Sequence, residues 1–320
     1  MNHIEVLKRA WRTAWNYRAL WVFGFILALA TGGGRGSSNS NTWAQYSVDR
    51  LPPRAANTLL AIGIGVACLV VLLIIVAAIA RYVAETALIR MVDHHEETGQ
   101  KRSVRQGFRL GWSRRAFYLF LIDLVIGLPV AVAFILLFLL AAAPMLLWAT
   151  ESTAAGAVGT ATTIGLGLLV VLLAIVVGVV LSALKPFFRR VCVLEQTGVT
   201  EAIRQGYALV RLNLKDVGIM WLITLGLHIG WVILMIPVVL LLLVVSGGLS
   251  GLLALLAGGL TGLAFEGAAP WIVGGVVGIP IFILVMVVPL SLLGGLFEVF
   301  LSSTWTLTYR ELRAQAAEMA

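Results

Sequence analysis

Six long apolar runs alternate with short polar segments along this chain, at about residues 19–34, 58–80, 116–141, 162–184, 217–246 and 271–300. A helix needs about 20 mostly apolar residues to cross the hydrocarbon of a bilayer. The pattern therefore predicts an all-α polytopic membrane protein with six transmembrane helices. The first run is short for a span. The third, fifth and sixth run long, and Pro129, Pro144, Pro237, Pro280 and Pro289 lie in or beside them. Tilting and kinking absorb such excess, because neighbouring helices satisfy the backbone groups that proline frees. Residues 247–270 are apolar but rich in glycine. They are expected to lie on the outer surface or to re-enter the membrane partway, since a seventh span would place the carboxyl end opposite the amino end.

The polar segments carry a second pattern. Residues 98–108 read TGQKRSVRQGF and residues 197–207 read TGVTEAIRQGY. The amino end holds a weaker copy in Leu7, Lys8, Arg9, Ala10 and Trp11. Each copy runs apolar, basic, polar or basic, small, aromatic, and an apolar run follows each. The chain thus divides into three repeat units in a single integral membrane domain, at about 1–97, 98–196 and 197–320. Each unit is a short amphipathic helix followed by two spans. Ser103 with Gln106 and Asn2 with Glu5 have capping-box spacing, and Thr200 is a cap candidate with Glu201 in the first turn. Val104, Phe108 and Trp112 fall on one helical stripe, as do Leu7, Trp11 and Trp15, and Arg102, Arg105 and Arg109 fall on another.

Charge gives the orientation. Of the 23 lysines and arginines, all but Arg35, Arg50 and Arg54 fall in segments 1–18, 81–115 and 185–215 or in the tail. Such bias marks the cytoplasmic side, which puts both termini in the cytoplasm. An alternative reading of the amino end is a cleaved signal peptide ending at Ala28-Leu29-Ala30, and the repeat argues against it. The basic helices Lys8, Arg12, Arg102, Arg105, Arg109 and Arg204 are candidates for contact with anionic phospholipid headgroups of the cytoplasmic leaflet. The same charge also serves simply to orient the spans.

Composition closes off the soluble alternatives. Hydrophobic residues make up 60% of the chain and charged residues 12%, a balance that no water-soluble domain accommodates. The net charge of +8 comes with no nucleic-acid motif. Cys68 and Cys192 are separated by membrane depth, so no disulfide is expected. Asp93-His94-His95-Glu96-Glu97 is read as a solvated loop, not a metal site, since adjacent ligands rarely close a tetrahedral sphere. No nucleophile elbow, zinc-protease motif or phosphate-cradling loop occurs, so neither enzyme chemistry nor a cofactor is expected. Ionisable groups within apolar runs are functional candidates by default, here Arg81, Glu85, Asp123, His228 and Glu298. In one reading Asp123, His228 and Glu298 line a path for a small solute or lipid. In the other Arg81 pairs with Glu85, Glu298 or Asp123, and His228 bonds a neighbouring helix.

Three basic–aromatic helices leading spans, with the ending Phe300-Leu301-Ser302-Ser303-Thr304-Trp305-Thr306-Leu307-Thr308-Tyr309-Arg310-Glu311-Leu312, carry a resemblance. Over most of its length the chain resembles a group of uncharacterised bacterial six-span proteins. That group includes the membrane region fused to some glycerophosphodiester phosphodiesterases. No αβ-barrel pattern accompanies the spans, so the resemblance brings no catalytic residues. It implies a multi-pass bacterial inner-membrane protein. The expected function is a non-enzymatic, lipid-associated scaffold or membrane-homeostasis factor, with a protein partner or a second copy as further partners. The alternative is the transporter.

Overall fold

The computed structural model describes residues 1–32, 53–150, 152–263, 267 and 269–318. Arg35, Arg50 and most of the Gly/Ser/Asn-rich loop fall outside the described residues. Every regular element among the described residues is helical. Helices α1 (His3–Asn16) and α2 (Ala19–Gly32) precede α3 (Pro53–Thr98). Next come α4 (Val104–Gly111), α5 (Arg114–Ala142), a 3₁₀ segment (Ala143–Thr150) and α6 (Thr153–Leu194). The last three are α7 (Val199–Leu212), α8 (Leu214–Gly262) and α9 (Ala269–Glu318).

Five helices are long and apolar enough to cross a membrane: those in α3, α5 with its 3₁₀ extension, α6, α8 and α9. The sixth expected span, α2, has 14 described residues, about 21 Å at 1.5 Å per residue. Pro144 lies in the 3₁₀ segment where α5 ends. Pro129, Pro186, Pro237, Pro280 and Pro289 lie inside continuous helices.

The buried core sits at one end of these long rods. It gathers Tyr17 to Phe23, the 83–92 stretch of α3, Leu119 and Ile122 of α5, Phe187 to Val193 of α6, and Val299 to Leu312 of α9. The carboxyl-terminal helices α3, α6 and α9 each touch the other two. Each also carries a short helix: α4 on α3, α7 on α6, and α1 on α9. The last long helix therefore returns to the first short one. Away from this end the most hydropathic 18-residue windows are 0% buried in α3 and only 6% buried in each of the other four spans.

The ending of the chain shows why that core closes. Ser303, Thr304, Thr306 and Thr308 are fully buried. The hydroxyls of Thr304, Thr306 and Thr308 donate to Phe300, Ser302 and Thr304 carbonyls one turn back, at 2.8–2.9 Å. A threonine satisfied by its own helix can be buried without a partner elsewhere. Such slim side chains let α3 and α6 approach.

Residues 247–270 depart from expectation. Their described part is continuous helix: α8 runs unbroken to Gly262 and α9 starts at Ala269, so the two form a hairpin. The glycines pack the pair closely instead of breaking it. A Cβ on Gly258 would stand 2.8 Å from the Pro270 carbonyl oxygen, and one on Gly274 would stand 2.9 Å from that of Ala254. Small residues serve this purpose where no hydrophobic force drives helices together. At 49 and 50 residues, α8 and α9 measure about 73–75 Å, more than twice the hydrocarbon thickness.

Candidate functional site

The three short helices are built alike from the sequence upward. The Asn2 side chain caps α1 by accepting from the Glu5 amide at 3.4 Å. Ser103 and Gln106 complete a reciprocal capping box on α4, at 3.1 and 3.4 Å. The third helix differs from expectation, because Gly198 takes the N-cap position and Thr200 lies inside α7. Extended backbone at Gly198 lets the helix start two residues earlier than a threonine cap would. Glu201 does fall in its first turn and accepts from the Gln205 amide group at 2.7 Å.

The repeated phrase finds its physical meaning in the small residue. Ala10, Gly107 and Gly206 occupy the same place in the three copies, and all are buried. One turn further on, Ala14, Gly111 and Val210 are buried as well. A Cβ on Gly107 would stand 2.6 Å from the Phe23 ring, and one on Gly206 would stand 2.6 Å from the Phe188 ring. The small stripe is thus the face that docks. The aromatic stripe stays outside: Trp11, Trp15, Trp112, Tyr207 and Phe108 are all exposed. Lys8, Arg12, Arg105, Arg109 and Arg204 are exposed beside them. Arg102 is an exception. It precedes α4, so it does not share a helical stripe with Arg105 and Arg109. Its guanidinium is half-buried, 3.3 Å from Nδ1 of His94, and its carbonyl accepts from the Tyr17 hydroxyl at 2.8 Å. Burial pushes the Tyr17 phenol above its ordinary range, so it stays a protonated donor.

Beneath these helices lies a network of charges. Arg189 of α6 donates to Glu85 of α3 at 2.6 Å and to Asp123 of α5 at 2.6 and 2.9 Å. The Tyr82 hydroxyl donates to Asp123 at 3.1 Å, and Lys185 lies 3.8 Å from the same carboxylate. The expected partner Arg81 is displaced from this role and instead lies over the Tyr82 ring, 5.8 Å from its centroid. Arg189 on α6 faces both carboxylates at once, whereas the Arg81 guanidinium is turned over the Tyr82 ring. The neighbouring Arg190 is 4% exposed and donates to the carbonyls of Pro186 at 2.8 Å and Ser302 at 3.0 Å.

Further out, Arg9 of α1 pairs with Glu96 at 2.8 Å and Glu311 at 3.5 Å. The hydrogen bond it donates to Glu96 holds the Arg9 guanidinium above its ordinary range. Arg310 binds Asp93, and Glu195 takes Tyr309 together with Arg313. Asp93 to Glu97 therefore form the last turns of α3 and not a loop. No group of three or more potential metal ligands occurs among the described residues. Cys68 is exposed and Cys192 buried, and both are free.

Of the remaining candidates, His228 lies apart from this network. His228 of α8 holds the Thr224 carbonyl of its own helix at 2.8 Å, and its ring meets Phe297 edge-on at 5.2 Å. Trp231 stacks on the same Phe297 at 4.6 Å. Glu298 follows Phe297 and is half-buried. Asp123 is brought to Arg189 and Lys185, so the polar contacts of Asp123 and His228 fall on different helices. Arg189 and Arg190 carried a legible signal as paired arginines at the edge of an apolar run, but as sequence they look like orienting charge alone.

Neither the curated proteins nor the solved structures include a match to this chain. A family profile does match, from residue 7 to residue 308, which takes in α4, α7, most of α1 and nearly all of the buried core. The chain belongs to that family, DUF7544, a family of unknown function.

Proposed function

We propose that this protein is a lipid-associated scaffold or homeostasis factor of a bacterial inner membrane. In this reading it has six spans in three units, both termini are cytoplasmic, and α1, α4 and α7 lie at the cytoplasmic leaflet. One observation carries the proposal. In all three short helices the small face is buried against protein while the aromatic and basic side chains remain outward. Indole rings favour the headgroup level, and guanidinium groups meet lipid phosphate there. The element order also supports the three-unit reading, with an amphipathic helix and two apolar ones in each third, although α2 is as short as α1 at 14 described residues. A transporter path through Asp123, His228 and Glu298 has less behind it. Asp123 is engaged by two cations, and a paired carboxylate is a poor carrier of a passing charge.

The test is native mass spectrometry of the protein gently extracted from its own membranes. Enrichment of anionic phospholipid over its share of those membranes is expected. Replacing Lys8, Arg12, Arg105, Arg109 and Arg204 with Gln should lower that enrichment severalfold, since each cation contributes about 1 kcal/mol at an anionic surface. Equal lipid profiles for the two proteins would overturn the proposal. Uptake of a solute into liposomes would favour the transporter.

A further inference from the structure

The three units differ where their first long helix meets the preceding unit. Helix α2 lies directly on α9, so closely that a Cβ on Gly295 would stand 2.6 Å from the Phe25 amide nitrogen. Helix α5 instead meets α3 through Tyr82, whose hydroxyl donates to Asp123 and whose ring meets Phe120 edge-on at 5.7 Å, and leaves space beside that contact. The space between them is an apolar groove of about 750 Å³, walled by Ile75, Ile79 and Tyr82 of α3 and by Ala116, Phe117 and Phe120 of α5. Its polar end is formed by Trp112, Ser113 and Arg114. From Arg114 to Phe120 the wall runs about 9 Å along the helix.

The chemistry at that end is unfinished. Ser113 occupies the N-cap of α5, yet its side chain makes no capping bond. Its hydroxyl is buried without a hydrogen-bond partner within the protein, so contact with an anion at this end falls to Arg114 and the first-turn amides. A 29-residue helix begins there with its amide groups pointing outward, which favours an anion. Arg114 adds a full positive charge at the same rim and is exposed. Trp112 is 73% exposed beside it, as an indole at headgroup depth would be. One end of the groove thus asks for a phosphate and the rest for hydrocarbon, in a volume typical of small-ligand sites.

We infer that the α3–α5 groove binds one phospholipid, its phosphodiester at Arg114 and the first turn of α5, and an acyl chain between Ile79 and Phe117. This rests on the membrane-interface placement proposed above, but it uses different residues from the exposed cations of α1, α4 and α7. The lipid would fill the gap that direct helix packing fills between α2 and α9, and would wedge α5 against the Tyr82–Asp123–Arg189 network.

Native mass spectrometry of the full-length protein with added phosphatidylglycerol tests it. One lipid should survive activation that strips the others. Ala78 lines the groove and is exposed, so Ala78→Trp fills the space without disturbing the core. That variant should lose the last lipid, with occupancy down at least about tenfold, and Arg114→Gln should lower it severalfold. A photoreactive group at Ile79 of the otherwise unaltered protein should cross-link to the acyl chain, a readout independent of variant folding. The inference fails if no lipid survives stripping, if Ala78→Trp keeps it, or if Ile79 yields no lipid adduct. The Gln variants of Lys8, Arg12, Arg105, Arg109 and Arg204 should keep this lipid. If they leave anionic enrichment unchanged while Ala78→Trp still removes one lipid, the broader functional reading falls and the groove stands.

Discussion

The two ends of the long helices obey opposite rules. At the end bearing α1, α4 and α7, buried positions include Arg190, Glu85, Thr86 and the run Ser303 to Thr308. In the apolar windows, side chains such as Leu168, Leu172 and Ile164 are more than 60% exposed. In water the second region would be the core and the first the surface. In lipid the arrangement inverts: hydrocarbon solvates leucine as well as another leucine does, so burying it gains little. What holds helices together is close approach through small residues and polar groups that satisfy one another. The packed end has both.

The sharpest way to break this contrast is Arg189→Met. It leaves Glu85 and Asp123 facing each other without their shared cation. Removing one partner of a buried pair costs about 3–5 kcal/mol, and here one cation serves two carboxylates. Denaturation in mild detergent should show the loss as a lowered midpoint. Adding Glu85→Gln and Asp123→Asn to Arg189→Met should recover most of it, because the uncompensated charges are gone. A triple variant as weak as the single one would mean that the guanidinium matters through packing, not charge.

Leu119→Ala comes next. Leu119 is fully buried at the packed end, and a large-to-small change there removes transfer energy and leaves a cavity, about 2–5 kcal/mol together. The same unfolding assay reads it, and a loss under about 1 kcal/mol would mean that this end is more loosely packed than its burial indicates.

How much of this contrast was legible depends on the residue. The apolar runs announce helices long enough to cross a membrane, because length and hydropathy are local properties. The phrase around Gly107 and Gly206 announces three short amphipathic helices for the same reason. Its small position looks like a spacer in the sequence, and only tertiary contact with Phe23 and Phe188 shows that it is the docking face. The partner of Asp123 was out of reach, since Arg189 is 66 residues away and no periodicity links them. Arg102 went astray by position: the Ser103 cap starts α4 after it, which a stripe drawn through both sides of a cap cannot foresee. In the 247–270 stretch glycine reads as a breaker, while α8 stays helical to Gly262 because Gly258 and Gly274 let the two helices approach closely.

Glycine substitutions sharpen the comparison within single helices. Gly206→Val drives a side chain into the Phe188 ring, whereas Gly167→Val in the window of α6 meets open space. Overpacking costs about 1–3 kcal/mol. Gly206→Val should lower the unfolding midpoint and expose α7 to protease. Gly167→Val should do neither.

The smallest expected effect is the most telling. Leu172 is 63% exposed in the apolar window of α6. If its surroundings are lipid, Leu172→Ala removes a side chain that the bilayer solvates in folded and unfolded forms alike. The unfolding free energy in lipid nanodiscs should then change by less than about 0.5 kcal/mol, the ordinary range for a surface site. The pair Leu119→Ala and Leu172→Ala holds the chemistry of the change fixed and varies only the region. A loss at Leu172 as large as that at Leu119 would mean that protein covers this window in the membrane, and it would turn the apolar rods from lipid-facing spans into an interface between copies of the chain.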